Sequence, residues 1–413
     1  MYFSPVLLAP LYCLLTTAHH PPTRAPRAGV TFAAAGPEAS KPLLVCTTAP
    51  SLEGVAFCKH ALQSGDWRVR ALVRNLDSPR AATLAQLGAE LVQADNLDEA
   101  SLRRAFAGAH GIYGITTWSG ASRASDGSIV RPTSADAAVL EESEVEQGRN
   151  ILRAARATDG LQHFVWQSMH RGGREPVDPA VAAPLHHRAK WRVEDELVES
   201  DLPWSVLRQP TYLENFGNSE EASKGTQLRL LRPGVVSGLV DEDIELSVIA
   251  VDDLGALATA MFARRDEYLR RTLAAAAERV NGARLAEAAS RVHGRMRFAY
   301  KPVPWFVLEY LVPVDYPRQL RRWLTYGGND EGARADAADA AAECRRLHPE
   351  MLSVEEWMRR QGVADLPLTS LEKAKRLSRL QPALSQRLLQ RRTRQLLQRS
   401  LRNSRAKAKA QAR

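Results

Sequence analysis

The 413-residue chain has only four cysteines, Cys13, Cys46, Cys58 and Cys344, with no Cys-x-x-Cys pair and no His/Cys ligand spacing. Neither a disulfide framework nor a metal site is expected, and Cys46 and Cys58 read as buried thiols of a strand and the helix after it. Long apolar runs are missing too. The one candidate, Val6 to Thr17, is interrupted by Pro10, so the body holds no run of the roughly 20 apolar residues that a membrane helix needs. No Gly-x-Ser-x-Gly marks a hydrolase nucleophile, and no internal repeat marks a solenoid. Acid is absent before Glu38.

That last absence, with the apolar stretch Val6–Ala18 and the Arg-, Pro- and Ala-containing residues after it, gives residues 1–40 the composition of a targeting peptide. A signal-like run followed by a transit-like run suits import into a plastid (chloroplast) with extra membranes. A mitochondrial address, a secretory signal or an unfolded start are the alternatives. The charge is as uneven as the acid. Of the +9 total, residues 363–413 carry a surplus of twelve, from 14 Lys/Arg against Asp365 and Glu372, which leaves the rest of the chain at −3. Leu377, Leu380, Leu384, Leu388 and Leu389 lie at helical spacing in this basic tail, which contains no aromatic residue. It reads as a solvated tail, helical or disordered, with docking to an anionic membrane surface as the alternative and nucleic acid a weaker one.

Between these ends the pattern alternates. Strands are expected at Leu43–Thr47, Arg68–Val73, Ala89–Ala94, Gly111–Thr116, Phe164–Gln167 and Trp204–Leu207. Helices are expected at Gly54–Ser64, Pro79–Leu87, Leu97–Ala107, Val139–Thr158 and Ala189–Glu199. Strand–helix alternation at this spacing predicts a doubly wound parallel α/β sheet of Rossmann type. Ser119–Ala138 reads as a loop insertion. After Pro210 the pattern becomes irregular, as a smaller substrate-side lobe would, and helices at Asp336–Arg346 and Ser353–Gln361 close a domain spanning 41–362.

The first strand–helix turn of such a fold ordinarily carries three glycines, for the tight turn, the approach of a phosphate, and helix–strand packing. Here those places hold Thr48, Ser51 and Gly54, and Pro50 has no N–H to offer. Only the packing glycine remains, although the two hydroxyls are able to bond a phosphate. Arg74 ends the second strand, 20 residues after Gly54, where an arginine favours the 2′-phosphate of NADP. Asn75 and Ser78 add donors. Asp95 and Asn96 end the third strand, facing an adenine edge. Thr116, Thr117 and Trp118 end the fourth, where a ribose would pass.

These segments resemble the NmrA-like family, atypical members of the short-chain dehydrogenase/reductase superfamily. The resemblance rests on "CTTAPSLEG", "VRALVRN", "GAELVQADNLDEASLRRAFAGAHGIYGIT", "VEQGRNILRAARATDGLQHFVWQS", "HHRAKWRVEDELVESDLPWSVLRQPTYLENF" and "LHPEMLSVEEWMRRQG", which fall in the family's order. It implies that NADP(H) lies along Thr48–Gly54, Arg74, Asn75, Asp95, Asn96, Thr116 and Thr117. It further implies that Lys190 bonds the nicotinamide ribose and that Tyr212, Leu213, Glu214 and Asn215 close over the nicotinamide. Reductases of the superfamily place an acid tyrosine four residues before the lysine. That position is His186, a possible acid near neutral pH. Lys190 and His186 are thus the candidate catalytic residues. Three functions follow: an NADPH-dependent reductase of a quinone-like electrophile, a non-catalytic NADP(H) redox sensor acting on a protein partner, or a pseudo-dehydrogenase scaffold that has lost the cofactor.

Overall fold

The computed structural model describes residues 41–117, 122–123, 129–130, 137–171, 184–216, 231–238, 240–304, 323 and 331–367. The expected targeting peptide, most of the basic tail, Trp118 and most of the expected loop insertion lie outside them.

Alternation builds the central sheet. In Leu43–Cys46 (β1), Leu44 and Cys46 enter one core while Leu43 and Val45 enter the other, because successive side chains of a strand point to opposite faces. Both faces of β1 are apolar, so both must be covered. On one side lie the helices Leu52–Gln63 (α1) and Pro79–Gln86 (α2). On the other lie Glu99–Phe106 (α3), Ala137–Arg156 (α4) and Leu185–Val198 (α5). The strands Arg68–Val73 (β2), Glu90–Gln93 (β3) and Gly111–Gly114 (β4) follow. Ser122–Arg123 (β5) and Ile129–Val130 (β6) form a small antiparallel pair. His163–Met169 (β7) and Trp204–Gln209 (β8) complete the run foreseen from the pattern.

The main sheet has seven strands, all parallel, in the order β13–β8–β7–β4–β1–β2–β3. Its last strand, Thr272–Ala274 (β13), comes from beyond Pro210, in the stretch expected to be irregular. So does Val251–Ala263 (α6), whose Leu254, Leu257, Met261 and Phe262 join the α1-side core. α6 lies so close to α1 that a Cβ on Gly255 would come within 2.4 Å of the Ala56 carbonyl carbon. The short helix Arg265–Tyr268 (α7) leads from α6 to β13.

A separate core marks the smaller lobe. It is built on two three-stranded sheets: Leu231–Arg232 (β10), Val235–Gly238 (β11) and Ala299–Pro302 (β15), and Thr211–Tyr212 (β9), Leu246–Ile249 (β12) and Glu278–Val280 (β14). Gly282–His293 (α8) covers them and ends on Gly294 at φ 70°. Glu331–Leu347 (α9) packs back on the α1-side core through Cys344 and Leu347. Val354–Arg360 (α10) joins the lobe, opened by a capping box in which Ser353 and Glu356 satisfy each other's amides. Val363 is also fully buried in that core, so the residues just past 362 pack with the lobe.

Candidate functional site

The chain winds outward through β1, β2 and β3, then returns to β4 and continues through β7, β8 and β13 on the other side. The reversal leaves a crevice beyond the carboxyl ends of β1 and β4, the place where open α/β sheets bind ligands. The hydroxyls of the first turn close part of it. Thr47 Oγ1 donates to the Ile115 carbonyl at 2.8 Å and accepts from the Ile115 amide. Thr48 Oγ1 donates to the same carbonyl at 2.6 Å and accepts from Asn96 Nδ2 at 3.1 Å. Ser51 caps α1, its Oγ accepting from the Gly54 amide at 2.9 Å. Each hydroxyl expected to meet a phosphate thus has an internal partner.

Gly54 keeps the role its place predicts. A Cβ there would lie 2.5 Å from the Thr48 carbonyl oxygen and 2.7 Å from Ala49 Cα. Both are backbone atoms, so α1 can approach the turn only with glycine at this position. The helix also retains what an anion needs. The amides of Leu52 and Glu53, in its first turn, have no partner within helix geometry, and the dipole adds partial positive charge.

At the end of β2, Arg74 is half-buried, its carbonyl accepting from Gln93 Nε2 at 3.0 Å. Asn75 Oδ1 accepts from the Asp77 amide and Ser78 caps α2, so both side chains organise the loop carrying Arg74. Sequence reading missed Arg80. From the first turn of α2 its guanidinium donates to the Pro50 carbonyl at 2.7 Å, which brings a second cation against the phosphate turn. Asp95 Oδ1 accepts from the Leu97 amide in an Asx turn. Asn96 bonds Thr48 and Ile115 rather than standing open.

The fourth strand's end is held by one face of α4. Glu144 Oε1 accepts from Thr116 Oγ1 at 2.8 Å, Gln147 bonds both the amide and the carbonyl of Thr117, and Asn150 Nδ2 donates to the Asn96 carbonyl. Residues 144, 147 and 150 share a helical face, and all three are buried. Close contact with α5 sets their depth, since a Cβ on Gly148 would meet Val193 Cγ2 at 2.4 Å.

Lys190 enters this cluster from α5. Its Nζ donates to Thr116 Oγ1 at 2.8 Å and the Thr116 carbonyl at 3.3 Å, and pairs with Glu144 Oε1 at 3.4 Å. Lysine and glutamate are both almost fully buried. Burial raises the Glu144 carboxyl above its ordinary range despite the neighbouring ammonium. His186, one helical turn earlier, is buried, and desolvation followed by the fields of His187 and Lys190 holds its imidazole well below the usual range. It is neutral at physiological pH and carries no imidazolium proton to give. His187 is likewise pushed down, to about 3, beside Trp191 and Trp323.

The segment after β8 divides. Tyr212 turns into the crevice, its hydroxyl meeting Glu53 Oε1 at 2.6 Å and lying 3.2 Å from Gln167 Nε2 and against Gln209. Glu214 turns away: Oε2 accepts from the Val251 amide at the head of α6, and Oε1 from Trp357 Nε1 in α10. Burial lifts its carboxyl to about 7. Asn215 is exposed on the 3-10 turn Leu213–Phe216. The structure therefore gathers Thr48, Ser51, Gly54, Asn96, Thr116, Thr117, Lys190 and Tyr212 about the crevice at the switch point. Arg74, Asn75 and Asp95 stand beyond the ends of β2 and β3, His186 is one turn from Lys190 on α5, and Glu214 engages the lobe.

Two amide donors and two guanidinium groups at a turn closed by Gly54 suit a dinucleotide, and the Glu53 carboxylate, in the same first turn of α1, is of the wrong sign for a diphosphate. Comparison with known proteins agrees with this architecture. The NmrA-like family domain-containing oxidoreductase hkm9 of Aspergillus hancockii is 34% identical over 116 residues, 28% of this chain and 30% of that protein. Oxidoreductase cpsB of Aspergillus campestris, of the same description, is 30% identical over 135 residues, covering 32% and 35%. The chain thus spans about a third of the length of the curated relatives it matches. In fold it is similar to NmrA, a negative transcriptional regulator (18% identity, TM-score 0.58, 81% of this chain and 98% of that one). It is also similar to the NADPH-dependent quinone oxidoreductase QOR2 of Escherichia coli, solved with NADPH (19%, TM-score 0.56, 77% and 99%). The NmrA-like family model matches residues 45–358, most of the chain, and with the motifs and the sheet order this makes the protein a member of the NmrA-like family.

Proposed function

We propose that the protein binds NADP(H) in the switch-point crevice and reduces a small quinone-like electrophile. The 2′-phosphate is met at the adenosine end by Arg74, the diphosphate by the first amides of α1 with Arg80 against the same turn, and the nicotinamide half lies toward Lys190 and Tyr212. Bound there, NADPH supplies a hydride. The observation that carries the substrate class is His186, buried and neutral, standing where an acid tyrosine would stand four residues before Lys190. A ketone reduced without an acid would leave an alkoxide nearly as basic as hydroxide, whose conjugate acid water has a pKa of about 15.7. A reduced quinone is a phenolate-like anion, whose conjugate acid has a pKa of about 10, as tyrosine does. Solvent protonates such a product, so the protein has only to bind, orient and exclude competing water. The relatives described as oxidoreductases and the quinone oxidoreductase of like fold support the same reading.

One observation favours a second reading. Every donor of the Lys190 ammonium is met within the protein, by Thr116 and Glu144, which suits a non-catalytic NADP(H) sensor or a scaffold. NADPH consumption across a panel of quinones separates the readings. Turnover that falls at least about tenfold in Lys190→Ala supports the reductase. Tight NADPH binding with no turnover on any quinone selects the sensor. The compartment belongs to the same proposal: residues 1–40 direct import into a plastid, and a fluorescent reporter fused to them would instead mark mitochondria or the secretory route if the assignment is wrong.

A further inference from the structure

Glu53 occupies an unusual place. It lies in the first turn of α1, between the capping Ser51 and the packing Gly54, where the free amides make an anion site. Its side chain is half-buried, and Oε1 accepts from the Tyr212 hydroxyl, 159 residues away, across the mouth of the crevice. Tyr212 is itself fixed by Gln167 of β7 and Gln209 of β8. The carboxylate is therefore directed inward. Its field reaches three buried groups beneath the turn, adding to the effect of burial on Tyr212, Tyr113 and Cys46. Arg74 follows β2, and Arg80 is bound to the Pro50 carbonyl of the turn itself.

We propose that Glu53 sets the affinity and ligand choice of this crevice: its carboxylate, fastened by Tyr212 at the head of α1, opposes the diphosphate and shifts recognition to the adenosine 2′-phosphate at the other end. This rests on the reading that the crevice takes NADP(H). It predicts a site that recognises the 2′-phosphorylated adenosine half strongly for its size and gains little from the diphosphate. Repulsion between this carboxylate and a diphosphate a few ångströms away, even when water screens it almost fully, is enough to weaken binding about tenfold.

The test titrates the full-length protein and its Glu53→Gln and Glu53→Ala variants with NADPH and with adenosine 2′-phosphate, which lacks the diphosphate. Melting temperatures without ligand confirm that each variant is folded. The account predicts that both variants bind NADPH about tenfold more tightly while adenosine 2′-phosphate binds equally in all three, and that the gain shrinks with added salt. NADPH affinity unchanged or weakened in both variants, with adenosine 2′-phosphate still bound, overturns the proposal and leaves the cofactor reading intact. Equal tightening of both ligands also overturns it. If no protein binds either ligand, the cofactor reading falls and this proposal with it.

Discussion

At the scale of single residues, the site is an exchange of partners. Thr48 and Ser51 stand where glycines would stand, and each spends its hydroxyl on the protein, one tying the turn to β4 and the other capping α1. Their types were legible in the sequence, but not their partners, because a hydroxyl that bonds a phosphate and one that bonds a carbonyl read alike. Glu144, Gln147 and Asn150 were less legible still. Polar residues on one helical face read as a solvated stripe, and only the glycine-set approach of α5 puts them indoors. The Lys190–Glu144 pair follows from that depth. Removing one member of a buried pair strands the other, so Glu144→Ala should destabilise the protein by about 3–5 kcal/mol. Glu144→Gln keeps an acceptor for Thr116 and should cost less. Chemical denaturation of both variants checks the order, and equal small losses would show that the pair does not hold the strand end.

At the scale of elements, the pattern located the first six main-sheet strands and seven helices because alternation and caps are local. Ser78 with Pro79 opens α2, and Asp98 opens α3. The missed elements are those whose cause is distant. β13 has three residues and owes its place to pairing with β8. α6 is apolar almost all round because it is buried between α1 and α9, and a helix without a polar face lacks the amphipathic period. Its packing rests on Gly255, whose missing Cβ lets the backbones of α6 and α1 touch. Gly255→Ala should push the helices apart, cost about 1–3 kcal/mol and weaken cofactor binding by shifting the head of α1. Thermal melting and NADPH titration read both effects, and a variant unchanged in both would show that the contact relaxes freely.

At the scale of the whole molecule, Glu214 joins the two parts. One carboxylate oxygen sits at the head of α6 and the other on Trp357 of the small lobe. Its folded pKa of about 7 lies above the ordinary carboxylate value of 4.5. Between these values the folded state holds the proton more tightly than the unfolded one, so stability falls as pH rises. Its contribution is fully present below about pH 4.5 and lost as pH passes 7, amounting to at most about 3 kcal/mol. Glu214→Gln removes the titrating group, so its stability should fall less than wild type between pH 5 and pH 8. Parallel curves would show that the buried carboxyl does not titrate in this range. Family resemblance placed Glu214 over the nicotinamide, whereas its bonds run to the head of α6 and to Trp357 of the lobe. Nothing in the local sequence marks that, because both partners lie far along the chain.

The central claim, that a turn rebuilt with Thr48 and Ser51 still holds a 2′-phosphorylated dinucleotide, is tested most directly by melting the full-length protein and its Arg74→Ala variant with NADPH and with NADH. A bound ligand raises the melting temperature by mass action. The account predicts a larger rise with NADPH than with NADH in the wild type, and equal rises in Arg74→Ala. Melting temperatures that neither cofactor moves, in either protein, would contradict it.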